Sequence, residues 1–375
     1  MTAGSAAPTS APAGAVALHN LVSRTRVFAP GEVDDLLDVI GQDGFAWIRS
    51  GAGFVTAGVA ARLPVNSGPG RLAEAADMVA EALQSITVDG PSPAGENCVP
   101  GAGPIAVGAL PFDDRTTGSL VVPALIVTRR ADGSGWLTTI GPAGGRDTGV
   151  PSSAANGHHV ATPGSESGRT AKVMNGHRAT PGPGADVALH EAPGRAEWTN
   201  SVRRILATID AGEVRKVVLA RELVVEADGQ FDRRVILDRL RRSHPSCFTY
   251  AAGDFVGASP ELLIRRRGTE VSSCPMAGTV RRGDTPEEDE ALVAGLRRSV
   301  KEAEEHRLLV ESVVSALGPV CAGPPTAGEP DVIRFPTVSH LATRVSGVLR
   351  DPVPSALALA GRLHPTPAVG GLPRP

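Results

Sequence analysis

A long stretch near the middle of this 375-residue chain lacks the side chains that build a protein core. From Gly141 to about Ala188 the sequence consists mainly of Gly, Pro, Ser, Ala and Asn, with almost no large apolar residue. Such a stretch cannot bury enough apolar surface to offset the entropy lost on ordering. We therefore divide the chain into four predicted segments: a disordered N terminus (1–14), an N-terminal part of the fold (15–140), a flexible low-complexity insertion (141–192) and a C-terminal region (193–375).

The composition excludes several classes of protein. The formal net charge is −3 and the isoelectric point is near 6.3, so no global charge favours nucleic acid or an anionic membrane. The four cysteines are widely spaced and form no C-x-x-C pair, which argues against a disulfide framework or a zinc site. No apolar run approaches membrane-spanning length, and the first residues do not resemble a signal peptide. We expect a soluble, cytoplasmic protein that binds neither nucleic acid nor membrane.

Helical and strand-like patterns are clustered along the chain rather than strictly alternating. Apolar residues at helical spacing predict helices over 72–86 and over 196–211, the second ended by Gly212. An apolar run predicts a long strand from Val214 to Val225. Thr285, followed by a proline and two glutamates, is a helix-start signal. This clustering favours an α+β fold with antiparallel sheet over a doubly wound fold.

Lysine is rare in this chain: Lys172, Lys216 and Lys301 are the only lysines among 37 Lys and Arg residues. Lys216 stands at the head of the apolar run 217–220. A lysine amine can give up its proton on leaving water, whereas an arginine guanidinium cannot at accessible pH. This run alone leaves two interpretations open, a lysine kept for its amine and an ordinary strand-end lysine with its amine in water.

Five short segments that follow Lys216 combine polar side chains with glycine or carboxylates. In chain order they are Gly257-Ala258-Ser259-Pro260-Glu261, Pro275-Met276-Ala277-Gly278-Thr279 with Arg281-Arg282-Gly283, Lys301 to His306, Ser339-His340-Leu341-Ala342-Thr343, and Leu363 to Gly371. The ordered set resembles the chorismate-utilising enzyme family, and within it most closely the isochorismate synthases. The resemblance is close over residues 193–371. It implies an α+β fold of large antiparallel β-sheets packed as a sandwich, with helices outside.

Isochorismate synthases convert chorismate to isochorismate with Mg²⁺, by adding water at ring C2 while the C4 hydroxyl leaves. This reaction needs a base, an acid and a cation that holds the substrate carboxylate. The resemblance implies Lys216 as general base, Glu261 as general acid and Glu305 as a Mg²⁺ ligand. Glu302, one helical turn before Glu305, is a second candidate ligand, directly or through water. The alternative for Glu261 is a solvated glutamate at a strand edge.

The same resemblance implies a set of substrate contacts. Gly278 and Thr279 match a backbone and a hydroxyl contact, because glycine permits close approach without a Cβ atom. His340 matches a position near the ring or the enolpyruvyl group, although a structural histidine is an alternative there. Ala368 matches a residue that lines the ring pocket. His306 shares a helix face with apolar residues, so we expect a packed core histidine rather than a ligand.

Lys216 also favours one branch of the family. Members that use ammonia resemble one another in carrying glutamine at its position, so a lysine there favours water as the nucleophile. Salicylate synthase and an enzyme like anthranilate synthase component I are the alternatives. The resemblance implies a monomer that takes chorismate as its small-molecule substrate and feeds menaquinone or siderophore biosynthesis.

The chain ends earlier than the relatives that it resembles. Relatives usually continue beyond the position of Pro375 through a further helix and hairpin, whose carboxylates complete the Mg²⁺ site. We therefore expect the C-terminal part of the fold to be missing. A non-catalytic, chorismate-binding remnant is the alternative from another functional class.

Overall fold

The computed structural model describes residues 20–28, 31–89, 103–144, 187–227 and 231–372. The predicted disordered N terminus and most of the predicted insertion lie outside these residues. The chain divides into two compact units, the first formed by Met1–Phe45 with Gly53–Gly149 and the second by Ala46–Ala52 with Val150–Pro375.

The helices of the described ranges, in chain order, are α1 (Leu36–Val39), α2 (Arg71–Gln84), α3 (Arg195–Asp210), α4 (Arg233–Ser243), α5 (Pro286–Arg298), α6 (Val300–Leu317) and α7 (Ala356–Leu363). The strands are β1 (Leu21–Val27), β2 (Phe45–Arg49), β3 (Ala52–Val65), β4 (Thr87–Asp89), β5 (Gly118–Arg129), β6 (Gly135–Pro142), β7 (Val187–Ala192), β8 (Glu222–Ala227), β9 (Phe248–Ala252), β10 (Phe255–Ser259), β11 (Leu262–Arg267), β12 (Glu270–Cys274), β13 (Met276–Arg281), β14 (Thr326–Ala327), β15 (Asp331–Arg334), β16 (Val338–Ala342) and β17 (Val345–Val348).

In the first unit, the strands follow the order β3-β5-β6-β1-β4 and pair antiparallel except for β1 with β4. The hairpin between β5 and β6 turns at Asp132 and Gly133, where the Asp132 carboxylate accepts a hydrogen bond from the Ser134 backbone. The alternating apolar residues of these strands form its core, with Val55, Val122 and Ile126 fully buried.

The second unit contains four sets of strands. Their orders are β2-β9-β10, β11-β12-β17-β14, β13-β16-β15 and β7-β8. Helices α6 and α7 pack on the four-stranded sheet in a core that includes Val271, Leu317, Val345, Leu359 and Leu363. All the sheets are open, and the predicted α+β class with antiparallel sheets is confirmed. None of the helices in the described ranges has the length and apolar character needed to cross a membrane.

Local signals in the sequence place the helix ends. Thr285 caps α5 by accepting a hydrogen bond from the Glu288 backbone at 3.2 Å, as predicted. Ser299 then adopts an extended backbone, ends α5 and caps α6 through the Glu302 backbone at 3.3 Å. This break places Glu302 in the first turn of α6. The predicted helix before Gly212 is also confirmed, and Gly212 has a φ of +75°.

The predicted long strand from Val214 to Val225 is wrong over its first half. Strand β8 begins only at Glu222, and Lys216 forms an isolated bridge with Leu372. A strand needs a neighbour along its length to receive its backbone hydrogen bonds. Residues 214–221 have such a neighbour, within the described part of the chain, only at Leu372. The apolar run 217–220 therefore belongs to no sheet strand.

Candidate active site

Lys216 is held by contacts from two other segments. Its Nζ lies 2.9 Å from Oε1 of Glu305 on α6, and only 13% of the lysine side chain is exposed. The same Nζ donates a hydrogen bond to the backbone carbonyl of Pro367. The backbone of Lys216 pairs with Leu372, whose N–H donates to the Lys216 carbonyl at 2.9 Å. Of the two interpretations left open by the sequence, the structure excludes an amine in open water.

Glu261 lies directly before β11 and turns its carboxylate back toward the start of β13. The Met276 backbone N–H points at its Oε1 at 3.4 Å, and its own N–H donates to the Ser259 hydroxyl at 3.3 Å. Burial raises the pKa of the Glu261 carboxyl, and the Met276 hydrogen bond and the positive charge of Lys216 only partly offset this effect. Glu261 is thus a half-buried acid within electrostatic reach of Lys216, and not a solvated glutamate at a strand edge.

Gly278 and Thr279 lie on β13 against the first turn of α6. The Thr279 N–H donates to Oε2 of Glu302 at 3.2 Å. Gly278 has a φ of +79°, and a Cβ atom there would lie 3.2 Å from the Leu341 side chain and 3.3 Å from the Cβ of Glu302. The left-handed backbone and the close helix both favour glycine at this position. The bulge at Gly278, where the register with β16 shifts, directs the Thr279 backbone toward Glu302.

His340 on β16 is paired with Thr279 across the sheet. Its Nδ1 lies 2.9 Å from the Thr279 hydroxyl, and its ring centroid is 5.8 Å from that of Phe335. Burial lowers the pKa of His340, although a hydrogen bond with the Gly278 backbone opposes the shift. His340 is therefore neutral near pH 7, and one nitrogen is committed to Thr279. The predicted substrate contacts Gly278, Thr279 and His340 thus form one connected group.

His306 lies behind this group and is a core residue, as predicted. It is 2% exposed, and its Nε2 lies 2.7 Å from the Thr343 hydroxyl. Burial lowers the pKa of His306, so the ring is neutral near pH 7. It thus joins α6 to Thr343, the residue directly after β16.

Glu302 and Glu305 are the candidate metal ligands. Each carboxylate faces an ammonium group: Lys301 Nζ lies 2.9 Å from Glu302 Oε1, and Lys216 Nζ lies beside Glu305. Among the described residues, there is no cluster of three or more His, Cys, Asp or Glu side chains that could hold a metal. Mg²⁺ often takes only one or two protein carboxylates and completes its shell with water and substrate oxygens. Glu302 and Glu305 lie one helical turn apart, each beside a lysine amine, and they have the carboxylate chemistry that such a site needs.

Two contacts in this site were not predicted from the sequence. The Pro367 carbonyl binds the Lys216 amine, and the Met276 N–H binds the Glu261 carboxylate. Both are backbone groups, which every residue carries, so no residue type marks them. Pro367 is itself buried, and the predicted pocket residue Ala368 follows it directly and is half-buried.

These contacts bring residues from the five sequence segments and Lys216 together in space. The family model described as chorismate binding enzyme matches residues 28–375. The chain belongs to this family.

Two bacterial proteins are among the individual relatives of this chain. A Mycobacterium tuberculosis protein provisionally named isochorismate synthase MenF is 41% identical over 182 residues, which cover 46% of this chain and 49% of the relative. Isochorismate synthase DhbC of Bacillus subtilis is 35% identical over 196 residues, 49% of each chain. The alignments thus span about half the length of these relatives.

The fold also has solved counterparts. The structure of MenF, the menaquinone-specific isochorismate synthase of Escherichia coli, matches 97% of this chain and 78% of that protein, with a TM-score of 0.70. At 22% sequence identity this similarity concerns the fold alone.

Proposed function

We propose that this chain catalyses the Mg²⁺-dependent conversion of chorismate to isochorismate. The observation that carries the proposal is the placement of Glu261 and Lys216, a desolvated carboxyl group and a shielded amine within electrostatic reach of each other. A net move of a hydroxyl from C4 to C2 needs an acid and a base at one ring. The isochorismate synthase names among the relatives give further support.

In this proposal, Lys216 is the base. In its unprotonated form the amine takes a proton from the water that attacks ring C2. The contacts with Glu305 and Pro367 fix the direction of the amine, so its position does not depend on the flexibility of the side chain. Positioning of this kind contributes to catalysis because a misdirected base loses most of its effect.

Glu261 is the acid. The C4–oxygen bond breaks as the Glu261 proton passes to the departing hydroxyl, which leaves as water. An acid must hold its proton until that moment, and burial raises the pKa of Glu261 in the required direction. The Met276 N–H then stabilises the carboxylate that remains.

The remaining residues bind the substrate. Gly278, Thr279 and His340 form a connected polar surface beside Glu302, and Ala368 lies next to the carbonyl that holds Lys216. Glu302 and Glu305 are the proposed Mg²⁺ ligands. Mg²⁺, when bound there, would supply positive charge for a substrate carboxylate. Because Lys216 and the metal share Glu305, this carboxylate connects the base with the metal site.

The test is the identity of the product. The purified chain is incubated with chorismate and Mg²⁺, and the products are separated by chromatography and identified by NMR. We expect isochorismate with its enolpyruvyl group intact and without released pyruvate. Salicylate with pyruvate, or anthranilate when ammonia is supplied, would assign the chain to another branch. Absence of any chorismate turnover would contradict the proposal.

A further inference from the structure

A second polar surface lies on the four-stranded sheet β11-β12-β17-β14. Arg265 pairs in register with Ser272, which pairs with Ser346, which in turn pairs with Thr326. Residues paired across neighbouring strands point to the same side of a sheet. One arginine and three hydroxyl groups therefore form a row across four strands. The intervening residues Val271 and Val345 point the other way, into the core with α6 and α7.

The row forms the floor of a groove of about 590 Å³. Arg267, two residues along β11 from Arg265, and Arg344, two residues before Ser346 on β17, also line it. Alternation along β11 places Arg267 on the same side as Arg265. Arg344 lies directly before β17 and lines the groove from there. Glu270, opposite Arg267 in register, is the one acidic residue among those that line the groove.

The positive charge of this groove is only partly balanced, because three arginines line it against the single carboxylate of Glu270. Within the described part of the chain, Arg265, Arg267 and Arg344 make no ion pair or side-chain hydrogen bond. Arg282 and Arg334, by contrast, both bind the Asp289 carboxylate. Burial, together with the charges of Arg267, Arg49 and Arg344, lowers the pKa of Arg265. Like charges gathered in this way repel one another, and an anion placed between them would remove the repulsion.

We propose that this groove binds a small polyanion that carries at least two carboxylate or phosphate groups. Guanidinium groups bind both oxyanions in a two-pronged geometry, and the hydroxyls of Ser272, Ser346 and Thr326 can donate to the remaining oxygens. Arg265 and Arg267 on β11 and Arg344 directly before β17 supply positive charge at two places along the groove, which suits a ligand with charges at two ends. The groove volume is in the range of small-molecule sites.

The groove shares no residue with the Lys216 and Glu305 pair, so this inference does not depend on the proposed function. It does lie near the proposed acid. Strand β11 begins one residue after Glu261, and Cys274 at the end of β12 is within electrostatic reach of both Glu261 and Arg344. An anion held in the groove would therefore also change the electrostatic surroundings of the Cys274 thiol.

The experiment measures binding of two probes, citrate and pyrophosphate, to the full chain by titration calorimetry. Acetate at the same ionic strength is the control, and no Mg²⁺ is present. Arg265→Gln and Arg344→Gln are compared with Arg266→Gln, which lies on the same strand and donates to the Gly268 carbonyl. Circular dichroism checks that each variant is folded.

We expect at least one probe to bind more tightly than acetate. Arg265→Gln and Arg344→Gln should each weaken binding about tenfold or more, as for a lost charge-assisted hydrogen bond, and Arg266→Gln less than about twofold. Preference for citrate would identify carboxylates, and preference for pyrophosphate would identify phosphates. Binding no tighter than that of acetate, or an equal loss in all three variants, would overturn the proposal.

Discussion

Two regions of the second unit differ sharply in packing, although each carries one of the proposed catalytic groups. The sheets from β11 to β17 and their helices bury a continuous apolar core around Leu317 and Val345, and Glu261 stands at their edge. The region of α3, β7 and β8, which precedes and follows Lys216, has no buried side chain among its described residues. Leu206 on α3, for example, is 54% exposed.

The difference shows how an exposed segment can still position a reactive group. Lys216 has no apolar core of its own around it. Its position comes from the Leu372 bridge, the Pro367 carbonyl and the Glu305 carboxylate. Glu261, in contrast, donates its backbone N–H to the Ser259 hydroxyl on β10 and accepts a hydrogen bond from the Met276 N–H on β13. The base is thus placed by a few polar contacts, and the acid by a packed sheet.

The largest expected effect follows from replacing the base. Lys216→Gln removes the amine and should lower turnover of chorismate by about 10³-fold or more, since base catalysis and positioning are lost together. The far-UV circular dichroism should be unchanged, because the side chain supports no core. Arg215→Gln is the matched control, because it removes one positive charge at the preceding residue, whose side chain pairs with the exposed Glu304. Near-normal isochorismate formation by Lys216→Gln would exclude it as the base.

Replacing the acid should have a smaller effect on the same reaction. Glu261→Gln is expected to lower kcat about 10²-fold or more, with little change in KM. In the wild type kcat should fall as pH rises through the pKa of Glu261, because the acid must be protonated, and burial moves this limb above the usual range for glutamate. The variant should lack that limb. A loss confined to KM would make Glu261 a binding residue.

Stability measurements sharpen the contrast between the two regions. Leu317→Ala removes a fully buried side chain and should lower the free energy of unfolding by about 2–5 kcal/mol. Leu206→Ala makes the same chemical change on the exposed α3 and should alter it by less than about 0.5 kcal/mol. Urea unfolding of both variants provides the comparison. Equal losses would mean that α3 is packed in solution.

The metal ligand offers the smallest expected effect. Glu305→Ala removes one of two candidate carboxylates and should raise the Mg²⁺ concentration needed for half-maximal activity about tenfold or more. Calorimetric titration with Mg²⁺ alone gives a second readout that does not depend on turnover. Glu304→Ala, on the exposed side of the same helix, is the control. An unchanged Mg²⁺ requirement in Glu305→Ala would leave the ligand unassigned.

The sequence predicted the parts of this molecule that depend on local chemistry. The cap at Thr285 follows from a side chain within one turn of its helix, and the helix end at Gly212 follows from the left-handed backbone that glycine adopts readily. The strand over 214–221 was predicted wrongly, because an apolar run does not reveal whether a neighbouring strand is present. The contact between Lys216 and Pro367 could not be predicted, since a backbone carbonyl carries no residue signature.

The most direct test of the account is amide hydrogen exchange with and without chorismate and Mg²⁺. Using Glu261→Gln for this experiment slows turnover during the measurement, since this variant should lower kcat about 10²-fold or more. Without ligand, residues 214–220 should exchange much faster than residues 271–280, because they have few backbone partners. With ligand, both 214–220 and 276–281 should become protected, since the substrate lies between the base and the polar surface of β13. Protection of only one of these segments would contradict a single site shared by the two regions.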